Sequence, residues 1–139
     1  MSSKQLTTEE DERVKLGVPI IACPDYLKLM QARAMKYSVP AEPYFPTGLT
    51  EMVARNDPAA TPYDRLDATN VFLGKKILVM SGADDKLVPW EMSRDFVEKL
   101  EVGPNGVKKL MLLAGVGHEC TDSMLEALGR FVGEECLWI

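Results

Sequence analysis

KKILVMSGADDKLVPWEMSRDFVEKLE, residues 75–101, decides the fold class. Its opening, KKILVMSG (75–82), is a short apolar run ending in glycine, the pattern of a strand buried on both faces of a parallel sheet. From Pro89 the period changes. Met92, Phe96, Val97 and Leu100 recur at three-and-four spacing, which predicts a helix over 89–101 with one apolar face. The same order then repeats: GPNG (103–106) is a turn, KKLMLLAG (108–115) a second buried strand, and Thr121 a cap for a closing helix, DSMLEALGRFVGEECLWI. Strand, helix, strand, helix predicts parallel pairing with a right-handed crossover, and hence an α/β fold.

Upstream the pattern is less regular. LGVPIIACP (16–24) reads as a third buried strand, near 18–22, although Pro19 cannot donate to a ladder and so marks a strand start or a sheet edge. Pro24 suits the first turn of the next helix and Asp25 its positive end. Within DYLKLMQARAMKY (25–37), Tyr26, Leu29, Met30, Arg33, Ala34 and Tyr37 fall on one stripe. Residues 38–74 are rich in proline and turn signals around a short helix predicted at 49–56. They form an insertion rather than a linker, because Tyr44, Phe45, Leu49, Met52, Val53, Tyr63, Leu66 and Phe72 need cover. TTEE (7–10) has the form of a capping box, consistent with a helix near 8–15 or with a solvated terminus. The expectation is one domain in three parts: strand and helix at 14–37, a cap-like insertion at 38–74, and two strand–helix units at 75–139.

Composition narrows the function classes. The 139 residues are 46% hydrophobic and 27% charged, enough for one core and a soluble surface. The formal charge is −5, with 16 basic residues interspersed among 21 acidic ones. A nucleic acid or an anionic membrane needs clustered Lys and Arg, so neither is an expected partner. No apolar stretch approaches the roughly 20 residues that cross a bilayer. The polar, acidic start lacks the marks of a signal or transit peptide. Cys23, Cys120 and Cys136 are odd in number and lack metal-ligand spacing, which suggests free thiols in the cytoplasm, with no metal and no cofactor. Cys120 is expected to pack under the last helix.

In open α/β sheets the functional groups gather past the carboxyl ends of the strands. Asp84 and Asp85 follow one strand and His118 follows the next. Adjacent strands lie about 4.8 Å apart, so the two loops emerge side by side. A carboxylate on one imidazole nitrogen fixes the tautomer and leaves the other nitrogen as a base. Asp84 reads as a solvent-facing turn residue and Ser81 as a small core residue.

ILVMSGADDKLVP and LMLLAGVGHEC together resemble the C-terminal half of an α/β-hydrolase, an esterase- or peptidase-like serine hydrolase. Gly82, Asp85, Val88 and Pro89 match that family's G-x-x-D-x-x-V-P pattern, whose aspartate is the triad acid. Gly115, Gly117 and His118 fit its histidine loop. The resemblance covers roughly 14–139, with firm motifs in 77–119. It implies catalytic roles for Asp85 as acid and His118 as base, and it likens 38–74 to the cap before the acid strand.

The family's nucleophile does not appear. No G-x-S-x-G occurs in the sequence. SGADD, TGLTE and VGHEC do not fit it, and Cys23 follows the wrong strand. Neither Asp85 nor His118 can be acylated as the serine is, so the isolated chain is expected to be inactive. The expected architecture is a truncated α/β-hydrolase-like sheet of about three parallel strands, acting by binding a small molecule or by self-association. A homo-oligomer would form through an exposed strand edge or through helix faces. The alternative is the C-terminal half of a serine ester or peptide hydrolase, completed by a missing or separate N-terminal half. A receiver-like reading of Asp84 and Asp85 would need a further acceptor aspartate and more strands than are predicted.

Overall fold

The structure is a computed structural model in which residues 12–136 are described. Of the helix expected near 8–15, residues 8–11 lie outside them and residues 12–15 are turn and irregular chain, not helix; the last three residues of the closing helix also lie outside them. The elements are β1 (Leu16–Gly17), α1 (Tyr26–Lys36), α2 (Ala41–Tyr44), α3 (Thr47–Asn56), β2 (Lys76–Gly82), α4 (Glu91–Lys99), β3 (Val107–Leu113) and α5 (Asp122–Cys136), with a 3-10 turn at Pro58–Ala60. The three strands form one parallel sheet in the order β1-β2-β3. The fold is α/β, as the strand–helix alternation predicts.

β2 is the centre of the molecule and is buried on both faces. Ile77 and Val79 point into a cluster with Phe72, Trp90, Val97, Leu100 and Val102, against which Tyr63 and Phe96 pack. Leu78 and Met80 point to the other face and meet Met124 and Phe131 of α5. An all-apolar run is thus what a strand between two helical layers requires. The β2–β3 ladder runs in register from Lys76↔Val107 to Gly82↔Leu113, so both strands end at the same level. That alignment brings the two following loops together.

The helices start and stop for local reasons. Asp25 caps α1 by accepting the Lys28 amide (2.9 Å), so Pro24 lies just outside the helix and not in its first turn. Thr121 caps α5 by accepting the Met124 amide (3.3 Å). The Lys108 ammonium reaches the carbonyls of Val97, Glu98 and Leu100 at 3.0, 3.2 and 2.8 Å, placing a cation on the orphan acceptors at the end of α4.

The strand expected near 18–22 is reduced to Leu16–Gly17, and beyond it only an isolated bridge, Ile20↔Met80, remains. Ile21 sits at φ 53°, a costly conformation for a β-branched residue, and turns the chain out of the sheet. Pro19 still contributes its carbonyl, which accepts the Met80 amide at 3.0 Å.

Between α1 and β2, Asn70 organises the second half of the insertion. Its amide nitrogen lies 3.1, 2.7 and 2.9 Å from the carbonyls of Tyr63, Arg65 and Glu101, and its oxygen accepts the Phe72 amide at 2.8 Å. Phe72 and Val53 are buried as expected, whereas Tyr44, Met52 and Leu66 remain exposed.

Candidate active site

The site begins where β2 stops. The Ala83 amide donates to the Leu113 carbonyl (2.8 Å) and the Asp84 amide to that of Val116 (3.0 Å), so the acid loop is joined to the chain leading to His118. Gly82 permits this approach. A Cβ there would stand 2.3 Å from the Val116 oxygen and 2.4 Å from that of Gly117. Asp84 faces solvent in the turn.

Asp85 points inward and its side chain is fully buried. Oδ1 accepts the amides of Leu87 (2.8 Å) and Val88 (2.9 Å). Oδ2 lies 2.8 Å from Nδ1 of His118. Burial pushes this carboxyl upward. The Val88 amide, the His118 hydrogen bond, the Leu87 amide and the His118 charge together outweigh it and hold the group below its ordinary 3.8. Asp85 is therefore ionised at neutral pH and only accepts hydrogen bonds. The proton between the rings' nearest nitrogen and the carboxylate belongs to Nδ1, which leaves Nε2 of the neutral imidazole with its lone pair. The His118 side chain is 41% exposed, so this base is open to solvent.

Arg33, on the α1 stripe, holds the acid loop from outside by donating to the Leu87 carbonyl. The role of Arg33 was not legible in the sequence, where it is one of several charged residues on a helix. Ser93 was missed too. It is buried on α4 and donates to the Ala22 carbonyl at 3.1 Å, tying the segment after β1 to that helix.

Among the described residues His118 bonds only to Asp85, and no serine or cysteine joins it. Ser81 is buried within β2. Cys120, expected under α5, is exposed instead, because α5 buries Met124 and Phe131 and starts beyond it. Cys23 is partly buried and donates to the Asp25 carbonyl (3.3 Å), and burial pushes its thiol up, away from the reactive thiolate.

A cavity of about 460 Å³ lies on the α4 side of the sheet, between Val14–Pro24 and the face formed by Phe72, Ile77, Val79, Phe96 and Val97. Its lining is almost wholly apolar, and neither Asp85 nor His118 contributes to it. The acid–base pair and the apolar cavity are thus separate features. No group of three His, Cys, Asp or Glu side chains that could hold a metal ion occurs among the described residues. No helix among them is long and apolar enough to cross a membrane.

No protein-family model matches the chain, and no curated protein matches it either.

Proposed function

We propose that this chain is an α/β-hydrolase-derived module that keeps the acid and base of a serine-hydrolase triad, lacks the nucleophile, and acts by binding or self-association rather than by turnover. The observation that carries the reading is the Asp85–His118 hydrogen bond of 2.8 Å, with the carboxylate buried and the imidazole exposed at the ends of adjacent parallel strands. That is the orientation in which a base is poised for a serine. The sequence offers no G-x-S-x-G to use it. Without nucleophile and oxyanion donors the transition state loses its main electrostatic stabilisation.

The intact pair also supports a second reading, in which the chain supplies acid and base to a serine ester or peptide hydrolase whose nucleophile lies on another polypeptide. A remnant under no demand has no need of an oriented imidazole, and here the imidazole is oriented. Both readings place the protein in the cytoplasm, where the free thiols of Cys23, Cys120 and Cys136 would stay reduced.

Hydrolysis of a nitrophenyl ester by the purified chain tests the first reading. The binding reading expects the buffer rate, no labelling by a fluorophosphonate, and no change on His118→Ala. Turnover that disappears with His118→Ala would refute it.

A further inference from the structure

The apolar cavity on the α4 side of the sheet has two unlike ends. It begins beside the start of β2, where the Lys75 ammonium donates to the Val14 carbonyl at 2.8 Å. It ends at Ala22, Cys23 and Ser93, which lie past Val79 because the Ile21 amide donates to the Met80 carbonyl. At about 3.3 Å per residue, the four steps from Lys75 to Val79 make a slot about 13 Å long. Ile77, Val79, Phe96 and Val97 wall it between the ends.

The polar groups divide between these ends. The Ser93 hydroxyl donates to the Ala22 carbonyl (3.1 Å) and the Cys23 thiol to the Asp25 carbonyl (3.3 Å), so both hydrogens at the far end go to backbone. Lys75 is half-buried and is the one charged residue of the lining among the described residues. The carbonyls that close α4 near this end would repel an anion, but the Lys108 ammonium covers those of Val97, Glu98 and Leu100. A long apolar slot with a cation at one end matches an amphiphile with one tail and one anionic head.

We propose that this cavity holds a single-tailed carboxylic acid, its tail lying along β2 and its carboxylate at Lys75. Its volume of about 460 Å³ falls within the roughly 300–1,000 Å³ of small-molecule sites, which are likewise apolar with a few placed polar groups. Other occupants fit the lining less well. The first residues of the chain, MSSKQLTTEEDE (1–12), are polar and acidic, a poor cover for an apolar wall. A second copy would bring a further charge of −5 against the first. The proposal gives the binding reading a ligand, and it is independent of the lineage of the acid–base pair, which lies outside the cavity.

Titration of the full chain with decanoate, kept below its micelle concentration, tests this by calorimetry and methyl chemical shifts. One decanoate should bind per chain, moving the methyl signals of Ile77, Val79 and Val97 and leaving that of Val116, beside the acid–base pair, in place. Decanol has the same tail without the charge, and should bind about fivefold more weakly, the upper end for an ion pair open to water. Lys75→Met should lower decanoate to the level of decanol while decanol binds as before, which also shows that the variant is folded. In the parent, added salt should weaken decanoate and not decanol, a readout that needs no variant. Absence of heat and of methyl shifts with decanoate would overturn the proposal, as would shifts at Val116 in place of the cavity methyls. Equal affinity for decanol and decanoate would overturn it too, by removing the carboxylate from Lys75. Each of these failures leaves the ester assay, and with it the reading of Asp85 and His118, where it stands.

Discussion

Replacing Gly82 by alanine tests the construction of the site most directly. The new methyl carbon would stand 2.3 Å from the Val116 oxygen and 2.4 Å from the Gly117 oxygen, against an ordinary contact of 3.4 Å or more. The obstacle is backbone on both counts, so no side-chain rotation relieves it. The chain leading to His118 must retreat by about 1 Å, because β2 is pinned from both faces by the core. That retreat stretches the Asp84 amide bond to Val116, now 3.0 Å, and moves Nδ1 of His118 from 2.8 Å to beyond hydrogen-bonding range of Asp85.

Overpacking of this kind costs about 1–3 kcal/mol. For a domain of this size the melting temperature should fall by on the order of 4–12 °C. Thermal unfolding followed by circular dichroism measures the cost, and the low-field proton signal of the His118 Nδ1–H reports the pair. The expected result is both a lower melting temperature and loss of that signal. A Gly82→Ala protein that melts with the parent and keeps the proton would refute the argument that this glycine sets the distance between the loops.

Three further predictions rest on other parts of the fold. Asn70→Ala leaves the carbonyls of Tyr63, Arg65 and Glu101 and the Phe72 amide without their partner; it should cost about 3 kcal/mol in urea unfolding, and a loss within error of zero would remove Asn70 as the organiser of residues 57–74. Gly129 lies within α5 with nothing near its would-be Cβ, so Gly129→Ala should stabilise by about 0.5–1 kcal/mol, and a lower urea midpoint would contradict the open surroundings. The folded Asp85 carboxyl lies below its ordinary value, so its contribution is complete above the unfolded value of about 4 and is lost as pH falls through the lower folded one. Urea midpoints compared at pH 6 and pH 3 should therefore fall more for the parent than for Asp85→Asn; equal falls would show that the carboxylate is not held low.

Much of the C-terminal half was legible in the sequence, because each signal there is local. β2 and α4 change period within a few residues of Gly82, and Thr121 stands immediately before α5. The meeting of Asp85 and His118 was legible for a related reason. Each follows a strand, the strands are adjacent, and the level ladder makes their ends coincide. What could not be read depends on distant partners. LGVPIIACP is as apolar as a buried strand, yet Pro19 and the left-handed Ile21 leave two paired residues and a bridge. Its apolar side chains instead help to line the cavity against α4, an arrangement no local pattern encodes. The insertion hid its organiser too, since Asn70 draws one of its acceptors from Glu101, across β2 and α4 in sequence.

The two oxygens of Asp85 do different jobs, and this bears on what the pair means. Oδ1 takes the amides of Leu87 and Val88 and so shapes the turn between β2 and α4. A fold needs that whether or not any chemistry follows, because those amides would otherwise lose their acceptor. Among the described residues Oδ2 bonds only to His118, whose side chain is 41% exposed and belongs to neither apolar cluster. Structure therefore explains the aspartate through the turn, and the histidine as the donor that satisfies the buried Oδ2. Asp85 would be retained in a module that had abandoned catalysis entirely, and its presence says little about activity. The more informative residue is His118, because its orientation by a buried carboxylate, with part of the ring open to solvent, is what a proton-transfer site requires. The ester assay is decisive through the His118 variant for this reason, since that change spares the turn that Asp85 holds.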